Sequence, residues 1–187
     1  MADTETARRR LIEIVKRRSF SKGSDVRLVS GRSSSFYFDM KPTMLDPEGA
    51  YLIANLILDC LADAQVELVG GLEMGAVPLA TAVAAASHAR GRPLPAFFVR
   101  KQPKEHGARK LLEGLAPGET LAGKRVAVLE DVTTTGGSAS KAIEALRVEG
   151  AIIERVITVV DRLEGAAANF SAAGIAFTPI LTAADFL

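Results

Sequence analysis

Apolar side chains recur at helical spacing from residue 3 to residue 18, where Ala7, Leu11, Ile14 and Val15 share one face behind a capping Asp3 or Thr4. The other faces of this predicted helix carry Arg8, Arg9, Arg10, Lys16, Arg17 and Arg18, and charge in that arrangement ordinarily forms a solvated surface. Between Val26 and Met40 the period changes to two: Val26 and Leu28 precede the polar stretch SGRSSS, and Phe36, Phe38 and Met40 follow it, which predicts a hairpin. Helical spacing returns behind Asp46, a cap, and Pro47, a first-turn proline, with the stripe Ile53, Leu56, Ile57, Cys60, Leu61 and Ala64. Its place on that stripe makes Cys60 a small buried hydrophobe rather than a nucleophile.

Downstream the two periods alternate. Strands are predicted at 66–70, 96–100, 125–130 and 152–160, helices at 76–89 and 138–149, then a last strand near 175–180 and a short C-terminal turn. The strands are the short apolar runs VELVG, AFFV, RVAVLE and IIERVITVV, as expected where helices cover both faces of a sheet. Alternation of this kind predicts an α/β fold, a central parallel sheet flanked by helices. No internal repeat, low-complexity tract or linker interrupts it, so residues 1–187 read as a single domain with residues 1–45 as an appended subdomain. The connection from Lys101 to Lys124 reads as polar throughout, and compact domains rarely keep a loop of that length unless it works.

Composition narrows the possibilities. A chain of 187 residues can bury about 70% of the surface its unfolded form exposes, and needs no covalent staple. Its one cysteine cannot form an internal disulfide or a Cys-rich zinc site, and its two histidines, His88 and His106, are too few for a His-built metal centre, so a reducing cytoplasm is expected. The weakly polar stretch from Ala76 to Ala86 falls short of the roughly 18 residues of a membrane span, and MADTETARRR lacks an apolar signal core. With 23 basic and 22 acidic residues the net charge is +1, which argues against nucleic acid as a partner.

Chemistry concentrates in RVAVLEDVTTTGGSASKAI, residues 125–143. An apolar strand, Val126 to Leu129, brings Glu130 and Asp131 to its carboxyl end, where ligands bind in open α/β sheets, and Thr133 to Ser138 turn into a helix. Gly136 and Gly137 let successive N–H groups point inward, the helix terminus adds positive partial charge, and Thr134, Thr135 and Ser138 add hydroxyls: a phosphate cup. No lysine follows the glycines and the dinucleotide spacing is absent, which excludes the P-loop and Rossmann readings. Two carboxylates beside a phosphate cup call for sugar hydroxyls or a cation, hence for a sugar phosphate.

On these residues VLEDVTTTGGS resembles the 5-phosphoribosyl-1-pyrophosphate (PRPP) signature of type I phosphoribosyltransferases. The resemblance implies that Glu130 and Asp131 meet the ribose hydroxyls and that Thr134, Thr135, Gly136, Gly137 and Ser138, with Thr133 beside them, meet the 5′-phosphate. FFVRKQPKEHGARKLLEG, residues 97–114, is similar to the catalytic loop of orotate phosphoribosyltransferases, with Arg100, Lys101, Lys104 and His106 at the family's intervals. Such cations neutralise the leaving pyrophosphate while a closing loop excludes water. LVSGRSSSFYFDMKP, residues 28–42, is similar to the stretch that forms the family's hood over the base, with Tyr37 and Phe38 as an aromatic wall. In VVDRLEG, residues 159–165, Arg162 stands where the family clamps the orotate carboxylate. GGLEMGAVPLA, residues 70–80, resembles the loop under the pyrophosphate, where Gly70, Gly71 and Gly75 permit close approach. The chain departs from some members in having Val29 and Gly75 where they carry lysines, so those contacts do not transfer.

Taken together, the resemblance implies transfer of the 5-phosphoribosyl group from PRPP to orotate, giving orotidine 5′-monophosphate and pyrophosphate in de novo pyrimidine biosynthesis. It makes Lys104, Arg100, His106 and Asp131 the catalytic set, and Thr134, Arg162, Tyr37 and Phe38 the orotate contacts. Mg²⁺ is expected to bind mainly through PRPP, with no metal site of the protein's own. The expected assembly is a cytoplasmic homodimer whose 101–114 loop serves the neighbouring active site, with residues 1–45 and the C-terminal end forming the hood. Two alternatives stay open: transfer to another base, which would not need the Arg162 clamp, and a non-catalytic PRPP-binding regulator using the basic first helix. The loop cations argue against the regulator, since a sensor has no leaving group to neutralise.

Overall fold

Successive residues of the central strands face opposite cores, and this alternation builds the molecule. The computed structural model describes residues 3–27, 33–102 and 111–187. Along the chain run α1 (Thr4–Arg18), β1 (Phe20–Arg27), β2 (Ser33–Phe38), α2 (Lys41–Met44), α3 (Pro47–Cys60), β3 (Leu68–Leu72), α4 (Ala76–Ala89), β4 (Ala96–Val99) and β5 (Leu112–Glu113). Then come β6 (Arg125–Thr133), α5 (Gly137–Val148), β7 (Ile152–Asp161), α6 (Ala166–Ala172), β8 (Ala176–Thr182) and a 3₁₀ turn (Ala183–Asp185). Six strands form one sheet in the order β5-β4-β3-β6-β7-β8, parallel except for the β4–β5 pair.

On β6, Ala127 and Leu129 join the core beneath α1, α3 and α4, while Val126 and Val128 join the one beneath α5 and α6. β7 repeats the division with Ile157 and Val159 on the first side and Val156 on the second. Both faces are thus covered, which is why these strands read as continuous apolar runs. The expected α/β architecture is the observed one. Among the described residues no helix is long and apolar enough to cross a membrane.

The first helix and the Asp46 cap fall where expected, the Asp46 carboxylate accepting from the Gly49 N–H at 3.0 Å. Leu61 and Ala64 are buried as the stripe predicts, although α3 ends at Cys60, whose thiol pKa is pushed up by burial. Other boundaries differ. The hairpin starts at Phe20, because Phe20 pairs with Phe38 across the two-stranded sheet. β3 begins two residues late and includes Gly70 and Gly71, which therefore belong to the sheet and not to a turn or loop. β6 continues to Thr133, so Glu130 and Asp131 sit inside the end of the strand and not beyond it. The connection 101–124 is not polar throughout: Leu112 and Glu113 add an edge strand, and Leu121 is completely buried. α6, which the pattern did not predict, carries β7 over to parallel β8, and its Phe170 fills the second core.

The β1–β2 hairpin stands apart from the main sheet and is tied down by aromatic packing. Phe20 and Phe38 both pack on Phe186, with ring centroids 5.4 and 5.0 Å away, joining the chain's two ends. Arg8 on α1 closes the same junction, donating from Nη2 to both Asp185 oxygens at 2.7 Å and from Nε to the Ile180 carbonyl at 3.1 Å.

Candidate active site

At the carboxyl end of β6 the chain turns sharply into α5. Gly136 makes that turn with φ 89°, a left-handed conformation costly for any residue with a Cβ. A Cβ there would also lie 2.6 Å from Phe170 Cζ, so α6 leaves room for glycine alone. The turn is fixed from outside by Asn169, whose Nδ2 donates to the Thr135 carbonyl at 2.9 Å. Thr134 is half-buried, and Thr135, Gly137 and Ser138 are exposed beside the first N–H groups of α5, which lack intrahelical acceptors. This is the geometry of an anion cradle. Thr133 lies below it, its Oγ1 buried without a hydrogen-bond partner.

Beside the cradle opens a cleft of about 210 Å³ lined by Lys41, Leu72, Glu73, Met74, Gly75, Lys101, Glu130, Asp131 and Ser138. Glu130 is 7% exposed, and its Oε1 has no hydrogen-bond partner. Burial, followed by the neighbouring Asp131 charge, pushes its pKa up to about 8, against a smaller opposing pull from Lys101. Asp131 is also raised, chiefly by burial. A buried carboxyl with an unused oxygen, beside a half-buried one, is a site for donors that arrive with a ligand. Among the described residues no three His, Cys, Asp or Glu side chains gather as a metal site.

A Cβ at position 75 would stand 2.5 Å from Asp131 Oδ1, so the carboxylate in its present position packs against a glycine. The floor of the cleft is pinned by Glu73, whose Oε1 accepts from the Lys101 N–H at 2.9 Å and whose own N–H donates to the Val99 carbonyl at 2.8 Å. Lys41 is a cleft residue that the sequence pattern did not single out. Its ammonium lies 2.8 Å from Asp39 Oδ1, in a short DMKP segment with no periodicity to flag it.

Arg162 follows β7 and is 5% exposed, so it is not a surface arginine. Its N–H donates to the Thr133 carbonyl at 2.9 Å, which ties it to the end of β6. Leu163 beyond it takes a left-handed φ of 60°, held by the Asp161 carboxylate accepting its N–H at 2.9 Å. The guanidinium donates from Nε and Nη2 to Glu164 Oε1, each at 2.8 Å, and lies 4.7 Å over the Phe36 ring. The aromatic neighbour of the arginine is therefore Phe36. Phe38, two residues on along the same face of β2, is 5% exposed and packs in the core against Phe20 and Phe186, so it cannot serve as a ligand wall. Tyr37 points the other way and is 39% exposed. Arg100, just past β4, has its Nη1 3.8 Å from Glu113. Lys104 and His106 lie outside the described residues.

The phosphoribosyl transferase domain family matches residues 44–172. An orotate phosphoribosyltransferase of Bradyrhizobium sp. (strain ORS 278) is 59% identical over 181 residues, 97% of each chain. One from Sorangium cellulosum (strain So ce56) is 47% identical over 184 residues, 96% of this chain and 93% of the relative. Among solved structures, Mycobacterium tuberculosis H37Rv orotate phosphoribosyltransferase in complex with PRPP superposes with a TM-score of 0.78 at 39% identity, covering 96% of this chain and 98% of the other. The same enzyme with Fe(III) dicitrate gives 0.82 at 41%, with the same coverage.

Proposed function

The chain belongs to the orotate phosphoribosyltransferase family, and on that premise we propose how its cleft divides the work of moving the 5-phosphoribosyl group from PRPP to orotate. The reaction forms a bond from orotate N1 to C1′ of the ribose and breaks the bond from C1′ to the pyrophosphate oxygen. Its products, orotidine 5′-monophosphate and pyrophosphate, belong to pyrimidine biosynthesis. The observation that carries the assignment of the site is the Glu130–Asp131 pair, with a buried, unpartnered Glu130 oxygen, next to the α5 cradle.

The 5′-phosphate occupies the cradle of Thr134, Thr135, Gly136, Gly137 and Ser138, with the Thr133 hydroxyl beneath. Glu130 and Asp131 accept hydrogen bonds from the ribose hydroxyls and fix the sugar for in-line attack. Positioning of this kind can supply a large part of the barrier reduction. Arg162 takes the orotate carboxylate, with Thr134 and Tyr37 near the base; its buried guanidinium, already oriented by Glu164 and Phe36, supports this. Arg100, Lys101, Lys104 and His106 neutralise charge on the departing pyrophosphate. The hood over the base is the β1–β2 hairpin with the C-terminal end.

Mg²⁺ fits beside this site, since the open Glu130 oxygen and Asp131 are hard carboxylate donors, and the two would hold it together with the ligand's oxygens. When bound it supplies charge neutralisation at the ribose and pyrophosphate oxygens.

We also assign a homodimer in a reducing cytoplasm, with the 101–114 loop reaching the neighbouring site. The groove between α3 and α4, lined by Tyr51, Ala54, Ala82, Ala85, Ala86 and Ala89, with Tyr51 62% exposed, supports self-association there. A panel of orotate, uracil, adenine and hypoxanthine offered with PRPP and Mg²⁺ tests the function directly. Orotate should be the preferred acceptor, and preference for any other base would refute the assignment.

A further inference from the structure

We propose that Lys41 is a pyrophosphate-binding residue, which leaves Asp39 to pair with PRPP when the cleft fills. The proposal rests on the reading of this cleft as the PRPP site. Three observations carry it.

The first is placement. Lys41 comes from α2, directly after the hairpin, yet lines the same cleft as Gly75, Lys101, Glu130, Asp131 and Ser138. It is held on both sides of its Cα: its N–H donates to Asp39 Oδ1 at 3.2 Å and its Nζ lies 2.8 Å from the same oxygen. Pro42 follows immediately, in the first turn of α2. The ammonium is thus directed toward the rim of the cleft.

The second is charge. The described lining holds the carboxylates Glu73, Glu130 and Asp131 against the cations Lys41 and Lys101. A pyrophosphate ester entering such a cleft is drawn to its cations, and among the described lining residues these are Lys41 and Lys101. Position 75 of the same lining is a glycine and supplies no charge. Lys41 supplies its charge from a different element. Asp39 raises the pKa of the Lys41 ammonium, and Asp131 adds a smaller push in the same direction, so the group is a cation whenever ligand arrives.

The third is the weakness of its present bond. The Lys41 and Asp39 side chains are 61% and 41% exposed, and ion pairs in such positions contribute little. Exchange of one exposed carboxylate for a multiply charged pyrophosphate is favourable, and Asp39 is then left in water, where it needs no partner.

The test compares binding of PRPP, inorganic pyrophosphate and ribose 5-phosphate, each with Mg²⁺, to the wild type, Lys41→Met and Lys41→Arg by titration calorimetry. Lys41→Met should weaken PRPP and pyrophosphate by tenfold or more, on the order of one lost charge-assisted hydrogen bond, and leave ribose 5-phosphate within about twofold. Lys41→Arg should recover most of the loss. Equal weakening of all three ligands would mean a damaged cleft and would overturn the proposal, as would unchanged pyrophosphate and PRPP affinity in Lys41→Met. If the wild type itself fails to bind PRPP, the reading of the cleft falls and takes the Lys41 role with it. If the wild type binds PRPP and Lys41→Met binds it equally well, the Lys41 role alone is lost.

Discussion

At the scale of single residues, the acidic pair behaves unlike ordinary strand-end carboxylates because Glu130 is buried before any ligand arrives. Its folded pKa, about 8, stands above the ordinary glutamate value of 4.5, so between those two pH values the native chain keeps a proton that the unfolded chain has released. Stability therefore falls as pH rises through that window: the penalty is absent below about 4.5 and complete above about 8, and the raised pKa of Asp131 acts in the same sense. Glu130→Gln should flatten this slope, gaining stability over the wild type as pH rises from 5 to 8, which urea-unfolding midpoints across a pH series would register. An equal slope in both proteins would show that Glu130 is ionised in the free enzyme. A second residue-scale expectation concerns Arg162. Uracil lacks the orotate carboxylate, so Arg162→Leu removes an attraction that orotate has and uracil does not. The ratio of kcat/KM for orotate over uracil should drop by at least about tenfold, or roughly 1.4 kcal/mol, and because it is a ratio it is insulated from any stability lost with the Glu164 pair. An undiminished preference for orotate would remove Arg162 from the base site. Contiguity decided which of these residues could be read from the chain. Glu130, Asp131 and the glycines lie in one run of sequence, whereas Lys41 reaches the cleft through tertiary folding. Tyr37 and Phe38 are neighbours on β2 and so face opposite sides; which of them turns to the core depends on which face of the hairpin is covered, and alternation alone does not name the face.

Elements position the site through two kinds of constraint, and only one of them leaves a pattern in the sequence. Where a strand is buried on both faces and a longer amphipathic helix follows, as from β6 into α5, the apolar run and the glycine turn mark the junction, and the residues of the cradle were legible. Where glycines replace side chains inside a strand, pattern rules misread them: Gly70 and Gly71 look like a turn but are paired in β3. α6 escaped notice because AAANFSA offers little helical periodicity and its cap, Gly165, makes no side-chain hydrogen bond. Topology would have found it, since two adjacent parallel strands need a crossover and helices usually provide it. The same helix now explains the turn it packs against. Gly136→Ala should destabilise the protein by about 2 kcal/mol or more, combining the left-handed backbone cost of a Cβ with the encroachment on Phe170. Affinity for ribose 5-phosphate should fall with it, because relief of either strain moves the N–H groups of the cradle. Wild-type affinity and midpoint in that variant would mean that the turn tolerates a Cβ and that α6 does not set its shape.

The whole molecule joins its ends over the site: α1 carries Arg8 to Asp185, and Phe186 closes the ring cluster beneath the hairpin. On the proposed reading a hood built this way covers the base, and the pyrophosphate is met by Lys41 and by the loop bearing Lys104 and His106. Whether a loop serves its own cleft or a partner's can be separated by mixing two defects. Lys104→Ala should lower turnover by on the order of a hundredfold or more, as expected when one preorganised contact to developing charge is lost, and Asp131→Asn should weaken PRPP binding. In a mixed dimer with the loop acting across the interface, one cleft combines the intact Lys104 of one protomer with the intact Asp131 of the other, so it has no defect at all. With the loop acting within its own chain, each cleft keeps one defect. Co-refolded mixtures of the two variants should therefore regain activity approaching a quarter of the wild-type value, because half of the dimers are mixed at random pairing and each has one sound site. Activity no higher than the average of the two variants would place the loop over its own cleft. A charge at the α3–α4 groove, Tyr51→Glu, should abolish the regained activity if the groove is the interface; undiminished recovery would move the interface elsewhere.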